Sequence, residues 1–232
     1  MKSVEKLTKI HSILKKEYPR FNFYNKDRIF DEILYIFLSW RTPITKAQEI
    51  FKDLEKEFRQ WDELLNLDEN DWYKRLITGG KARDKARTVK KLILKLYEDF
   101  GSLENVETLS EKSDDEVYNY LTGLPGIKDK SAYCVMLYTM GRAVFPADAH
   151  CLRVSQRIGV ISGTNHNKQD RVRGQKELND LLKGNFELCY DLHIDMIHHG
   201  QKICKKRPLC QECVISSYCY YFKDQQKVEI SD

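Results

Sequence analysis

The sequence predicts an all-helical fold. Proline and glycine are scarce, 5 and 11 in 232 residues. No stretch sustains the alternation of strands joined by hairpin turns, and apolar residues recur instead at three- and four-residue intervals.

The elements follow in order. Residues 3–17 put Val4, Leu7, Ile10, Ile13 and Leu14 on one helical face. Residues 27–40 carry Ile29, Phe30, Ile33, Leu34, Ile36, Phe37 and Leu38, apolar nearly all round, which predicts a central buried helix. Thr42-Pro43 ends it. Thr45 to about Phe58 reads as an amphipathic helix, and a shorter one surrounds Trp61, Leu64 and Leu65. Gly79-Gly80 mark a turn. A long basic helix runs from about Ala82 to Phe100, with Gly101 as its C-cap. Ser113-Asp114-Asp115-Glu116 supplies N-cap chemistry and acidic charge for a helix ending near Leu121. Lys130–Met140 and Ala149–Ile158 are helical again, the second preceded by Asp148 as N-cap. The polar tail Asp224–Asp232 is expected to fray. There is no repeat, low-complexity segment or linker.

Composition narrows the classes. Charged residues make up 32% and the mean hydropathy is −0.59, as in a soluble protein. No apolar run approaches the ~20 residues that span a bilayer. The start, Met1 to Lys6, lacks the apolar core of a signal peptide, so an intracellular location, cytoplasm and nucleoid, is expected. Of seven cysteines, Cys134, Cys151 and Cys189 are scattered and four are clustered, which fits a reducing compartment with one metal site better than a disulfide scaffold. The net charge of +4 permits nucleic-acid binding without demanding it.

Three motifs carry chemistry. The turn Leu124-Pro125-Gly126-Ile127 opens the helix that begins near Lys130. Amides at such a turn can point outward together as an anion site, although an ordinary helix corner has the same residues. Composition alone reads Lys130 as a solvated lysine, while a helix N-terminus and partial burial would favour its neutral, nucleophilic form. Asp148 stands 18 residues further on. As a capping carboxylate it would be rigid, and so well placed to face a developing positive charge. Cys204, Cys210, Cys213 and Cys219 form C-x5-C-x2-C-x5-C. That donor set suits structural zinc or a [4Fe–4S] cluster. The loop Lys205-Lys206-Arg207-Pro208 is basic and pinned at both ends, a phosphate clamp that loses little entropy on binding. The densest positive stretch is Lys81–Lys91, also expected to contact phosphate. His198 and His199 are adjacent and face different sides of a helix, which reads as structural.

Together these residues resemble the endonuclease III family of helix-hairpin-helix DNA glycosylases, over most of the chain. The Lys130–Asp148 spacing equals the family's, and the cysteine spacing is one residue shorter in its first gap. The resemblance implies two helical lobes. One is a six-helix barrel over about 28–141, with the helix-hairpin-helix at about 114–141; residues 1–27 and 142–232 form the other, with the cysteine loop 204–219. It implies a [4Fe–4S] cluster on the four cysteines, with structural zinc as the alternative. It also implies an active site between the lobes, with Lys130 as the Schiff-base nucleophile and Asp148 as its electrostatic partner. Leu124, Gly126, Lys128, Arg41, Lys81, Lys205, Lys206 and Arg207 are the implied DNA contacts. Three positions depart from the family pattern: Lys128 where a second glycine is usual, Lys81 where an apolar wedge is common, and Arg41 where a polar residue commonly fills the space of the flipped base. The implied activity is base-excision repair of an oxidised pyrimidine in double-stranded DNA, with glycosylase and abasic-site lyase steps. A monomer with no membrane association is expected. The alternatives are a monofunctional mismatch glycosylase, which Lys130 argues against, and a non-catalytic helix-hairpin-helix protein with zinc, which the Lys130–Asp148 pair argues against.

Overall fold

The computed structural model describes residues 3–18, 24–162 and 167–230, except for the side chains of 168 and 227–230. Among these residues all regular structure is helical, with no strand. The chain divides into two compact units, one of residues 23–140 and one of residues up to 22 together with 141–232.

The unit 23–140 is built round α2, Ile29–Ser39. Ile29, Phe30, Ile33, Leu34, Phe37 and Leu38 are buried, as the continuous apolar pattern predicts, and Tyr35 with them, whereas Ile36 is half-buried. Each such side chain contributes about 1.5–3 kcal/mol relative to exposure. Glu32 is buried among them, which no pattern foretold. Against α2 pack α3 (Ile44–Glu57), α7 (Asp129–Tyr138) and a 3-10 segment at Leu103–Glu111. A second 3-10 segment, Trp61–Asn66, carries the expected Trp61 and Leu64 into the core. Helix α4 (Glu69–Leu76), not anticipated, lies along α5 (Ala82–Phe100). Gly101 ends α5 at φ 72°, in the left-handed region where glycine costs nothing. Helix α6, Asp114–Gly123, begins at Ser113 in a reciprocal capping box with Glu116 and packs on α7.

The other unit joins α1 (Ser3–Glu17) to α8 (Ala149–Ile158), α9 (Lys168–Leu182), α10 (Phe186–Lys202) and α11 (Tyr220–Ile230). Leu7, Ile10 and Leu14 are buried, whereas Val4 is exposed: the apolar face of α1 begins one turn later than expected. The tail is also corrected. Helix α11 continues to Ile230, and residues 231–232 lie outside the described ones. Its aromatic start holds it. The Tyr220 ring packs so closely on Gly159 that a Cβ there would stand 1.8 Å from Tyr220 Cδ2, and Lys6 Nζ lies 4.1 Å above the same ring. Among the described residues no helix is long and apolar enough to cross a membrane.

Candidate functional site

In the unit 23–140 the hairpin runs from α6 to α7. Leu124 N donates to Leu121 O at 3.1 Å and Ile127 N to Leu124 O at 3.2 Å, closing the turn. Gly126 has φ 83°, and an added Cβ would sit 2.6 Å from Phe37 Cε2, so conformation and space both demand glycine. Lys128 is the N-cap of α7 at φ −125°, extended backbone open to any residue. The absent second glycine therefore leaves the turn intact. Lys128 itself is exposed. Leu124 is buried with its amide committed to Leu121, so it shapes the turn instead of offering a donor to solvent.

Lys130 is the second residue of α7 and is exposed, so the partial burial expected for it is not seen. The charge of Lys130 acts on Glu32. This carboxyl is fully buried and accepts from Asn25 Nδ2 at 2.6 Å and from Lys26 N at 2.7 Å. Burial pushes it up to about 7, opposed by those two hydrogen bonds and by the charges of Lys26 and Lys130. The same segment binds the far end of α7, where Thr139 Oγ1 donates to Lys26 O at 2.9 Å.

The stretch Lys81–Lys91 is only in part exposed. Lys85 is fully buried, and its ammonium gives one hydrogen bond each to Leu38 O at 2.8 Å, Trp40 O at 3.0 Å and Thr42 Oγ1 at 2.7 Å. Burial pushes it down to about 8, so at neutral pH it keeps the three protons that these acceptors use. Lys90 Nζ is likewise spent on Leu65 O and Leu67 O, at 2.8 and 2.5 Å. Arg87 pairs with Glu69 at 3.6 Å, and Arg83 lies over Tyr73 at 4.9 Å. Lys81 and Lys91 remain exposed. Lys81 and Arg41 are both left-handed, at φ 60° and 51°, and Gly80 N donates to Arg41 O at 3.2 Å, tying the two turns together.

In the other unit Asp148 caps α8, accepting from His150 N and Cys151 N at 2.8 Å each. It is half-buried, and the segment before it is fixed by α9. Gln175 Nε2 donates to Phe145 O, Gln175 Oε1 accepts from Ala147 N at 2.8 Å, and Asn179 Oδ1 accepts from Phe145 N at 2.6 Å.

Cys204, Cys210, Cys213 and Cys219 line one pocket, walled otherwise mainly by apolar side chains such as Val154, Ile203, Ile215 and Phe222. Burial pushes the thiols of Cys210, Cys213 and Cys219 up, Cys213 to about 11, so ligand binding there would release protons. Arg157 Nη1 lies 3.3 Å from Cys204 Sγ and donates to Lys205 O at 2.7 Å, while Nη2 donates to Lys206 O at 3.1 Å. Arg153 adds bonds to Cys204 O and Gly200 O, both 2.8 Å. The loop backbone is thus pinned from α8, with Lys205, Lys206 and Arg207 exposed. His199 has the environment of a structural histidine. It is buried and pushed down to about 4, hence neutral; its Nδ1 meets Tyr18 Oη at 3.0 Å and its Nε2 stands 3.7 Å from Cys213 Sγ. Among the described residues no three His, Cys, Asp or Glu side chains converge on a single-ion site. Four soft sulfur donors round one largely apolar pocket fit a thiolate-ligated cluster in kind and number. The scattered Cys134, Cys151 and Cys189 are buried, and burial pushes Cys189 up to about 12.

Sequence reasoning does not reach Glu32, Gln175, Arg153 or Arg157; it places Lys85 in the run expected to contact phosphate and reads His199 as structural. Glu32 takes its hydrogen bonds from Asn25 and Lys26, close in sequence but in no periodic pattern; the others gain their roles from partners far along the chain, for which spacing gives no signal.

No family model matches the chain. An endonuclease III of Sulfolobus acidocaldarius is 30% identical over 228 residues, 96% of each chain. Among solved structures, endonuclease III in a non-covalent DNA complex matches with TM-score 0.75 at 20% identity, over 98% of this chain and 100% of the other. A thermostable thymine-DNA glycosylase matches equally in fold, with TM-score 0.75 at 17% identity, over 96% and 97% of the two chains.

Proposed function

The chain belongs to the endonuclease III family of DNA glycosylases, and we propose that it removes an oxidised pyrimidine from duplex DNA and then nicks the abasic strand. The target nucleotide must leave the stack, because its glycosidic carbon is out of reach inside the duplex. Lys130 Nζ, in its neutral form, bonds to C1′ while the N-glycosidic bond breaks. The bonding electrons leave with the base, which takes up a proton. Opening of the deoxyribose ring, with loss of a proton from the attacking nitrogen, gives a protonated imine. Loss of a C2′ proton then expels the 3′ oxygen. Asp148 is assigned the developing sugar cation, a role that suits a carboxylate already held by two backbone amides.

The observation that carries this reading is the exposed Lys130 on the first turn of α7, directly behind a turn that only Gly126 completes. Lys128, exposed at the start of α7, is assigned to the phosphate backbone. Cys204, Cys210, Cys213 and Cys219 would hold a [4Fe–4S] cluster, which when bound ties the basic loop to its unit. The presence of Lys130 favours a lyase over a monofunctional enzyme, in which water attacks. A panel of duplexes, each with one lesion, is the test. Release of an oxidised pyrimidine with strand cleavage is expected; base release with an intact strand would show a monofunctional enzyme.

A further inference from the structure

The turn between α2 and α3 concentrates three local costs at one point. Trp40 is 46% exposed, whereas Trp61 and Trp72 are 8% and 0% exposed. Arg41, next to it, holds a left-handed backbone at φ 51°. Beneath them the Lys85 ammonium is fully buried and spends its three donors on Leu38 O, Trp40 O and Thr42 Oγ1. From the side, Gly80 N holds Arg41 O, and Gly79 lies so close that a Cβ would meet Thr42 Oγ1 at 2.7 Å. A turn fixed on two sides gains nothing in packing from leaving an indole in water. Such costs persist where the exposed group has a use.

The surroundings identify the use. The Arg41 guanidinium lies 5.7 Å from the Trp40 ring centroid, and exposed Lys81 follows Gly80, whose amide holds the turn. A rigid aromatic face with a guanidinium beside it matches a nucleobase beside its phosphates, since every base has a π face and the strand supplies the negative charge. A base inside an intact duplex is stacked on both faces, so the base that can use this face is one that has lost a neighbour. We propose that Trp40, with Arg41 beside it, stacks on a base exposed when a nucleotide leaves the duplex, and that Lys85 positions the turn for it. This rests on the function proposed above.

Trp40 is the single exposed tryptophan of three, so its fluorescence reports the contact directly. The holoprotein is titrated with a duplex containing a stable abasic analogue and with the same duplex fully paired. With the abasic duplex, Trp40 emission should be quenched and become shielded from acrylamide. Trp40→Ala should lower affinity for the abasic duplex about 10-fold or more beyond any change for the paired duplex, and Trp40→Phe should restore most of it. Equal loss on both duplexes, or a Trp40 still open to acrylamide in the complex, would overturn the inference. Borohydride trapping on abasic DNA separates the two readings. A trapped adduct with Trp40 still accessible sinks this inference alone; no adduct and no discrimination between the duplexes sinks both.

Discussion

Glu32 sits in the core of α2 with its carboxyl pushed up to about 7 by burial. An unfolded glutamate titrates at about 4.5. Between those values the native state holds a proton that the unfolded chain has lost. The contribution of Glu32 to stability is therefore full below about 4.5 and is lost as pH rises through about 7. Urea unfolding midpoints followed across that window should fall more in the wild type than in Glu32→Gln; identical slopes would mean that Glu32 does not titrate in this range. Single residues were legible in the sequence where their type is scarce or their neighbours distinctive. Asp148 before an apolar-faced helix read as a cap, and the structure gives it two capping bonds. Lys85 falls in the run expected to contact phosphate and its burial is not legible there, because its three acceptors lie more than forty positions away along the chain.

At the scale of elements, the hairpin is where backbone and function meet. Gly126→Ala combines an unfavourable φ of 83° with a Cβ 2.6 Å from Phe37, so it should destabilise the protein by more than about 1 kcal/mol. Lys128→Gly, at φ −125°, should change stability by less than about 1 kcal/mol, although it removes a charge from the turn. Thermal unfolding of the two variants distinguishes a turn governed by Gly126 from one that lacks a second glycine. Helices α1, α2, α3, α5 and α8 were legible because a buried face repeats at helical spacing in each. Helix α11 was not. Its helical state depends on Tyr220 meeting Gly159 and Lys6, contacts invisible to local pattern. The 3-10 segment at Leu103–Glu111 was likewise unforeseen; it buries Leu103, Val106 and Leu109 at threefold spacing, too short a run to declare itself.

Across the whole molecule, exposed charge bears on what the chain can bind. Lys205 and Lys206 are exposed on a loop whose carbonyls Arg157 holds, so their side chains are free of that scaffolding task. Replacing both by Gln should weaken binding to every duplex alike and reduce the salt dependence by about two phosphate contacts' worth of slope; a loss confined to one lesion would show that they read the base instead. Anaerobically prepared protein should contain iron and acid-labile sulfide, and Cys213→Ser should lose them and unfold at lower urea. Stoichiometric zinc would reassign the pocket. Lys130 is the proposed site of the covalent bond to sugar. Borohydride reduction during reaction with damaged or abasic duplex tests it most directly. Wild type should give a protein–DNA adduct, and Lys130→Gln should give none while still binding DNA; an undiminished adduct from Lys130→Gln would assign the chemistry to another amine.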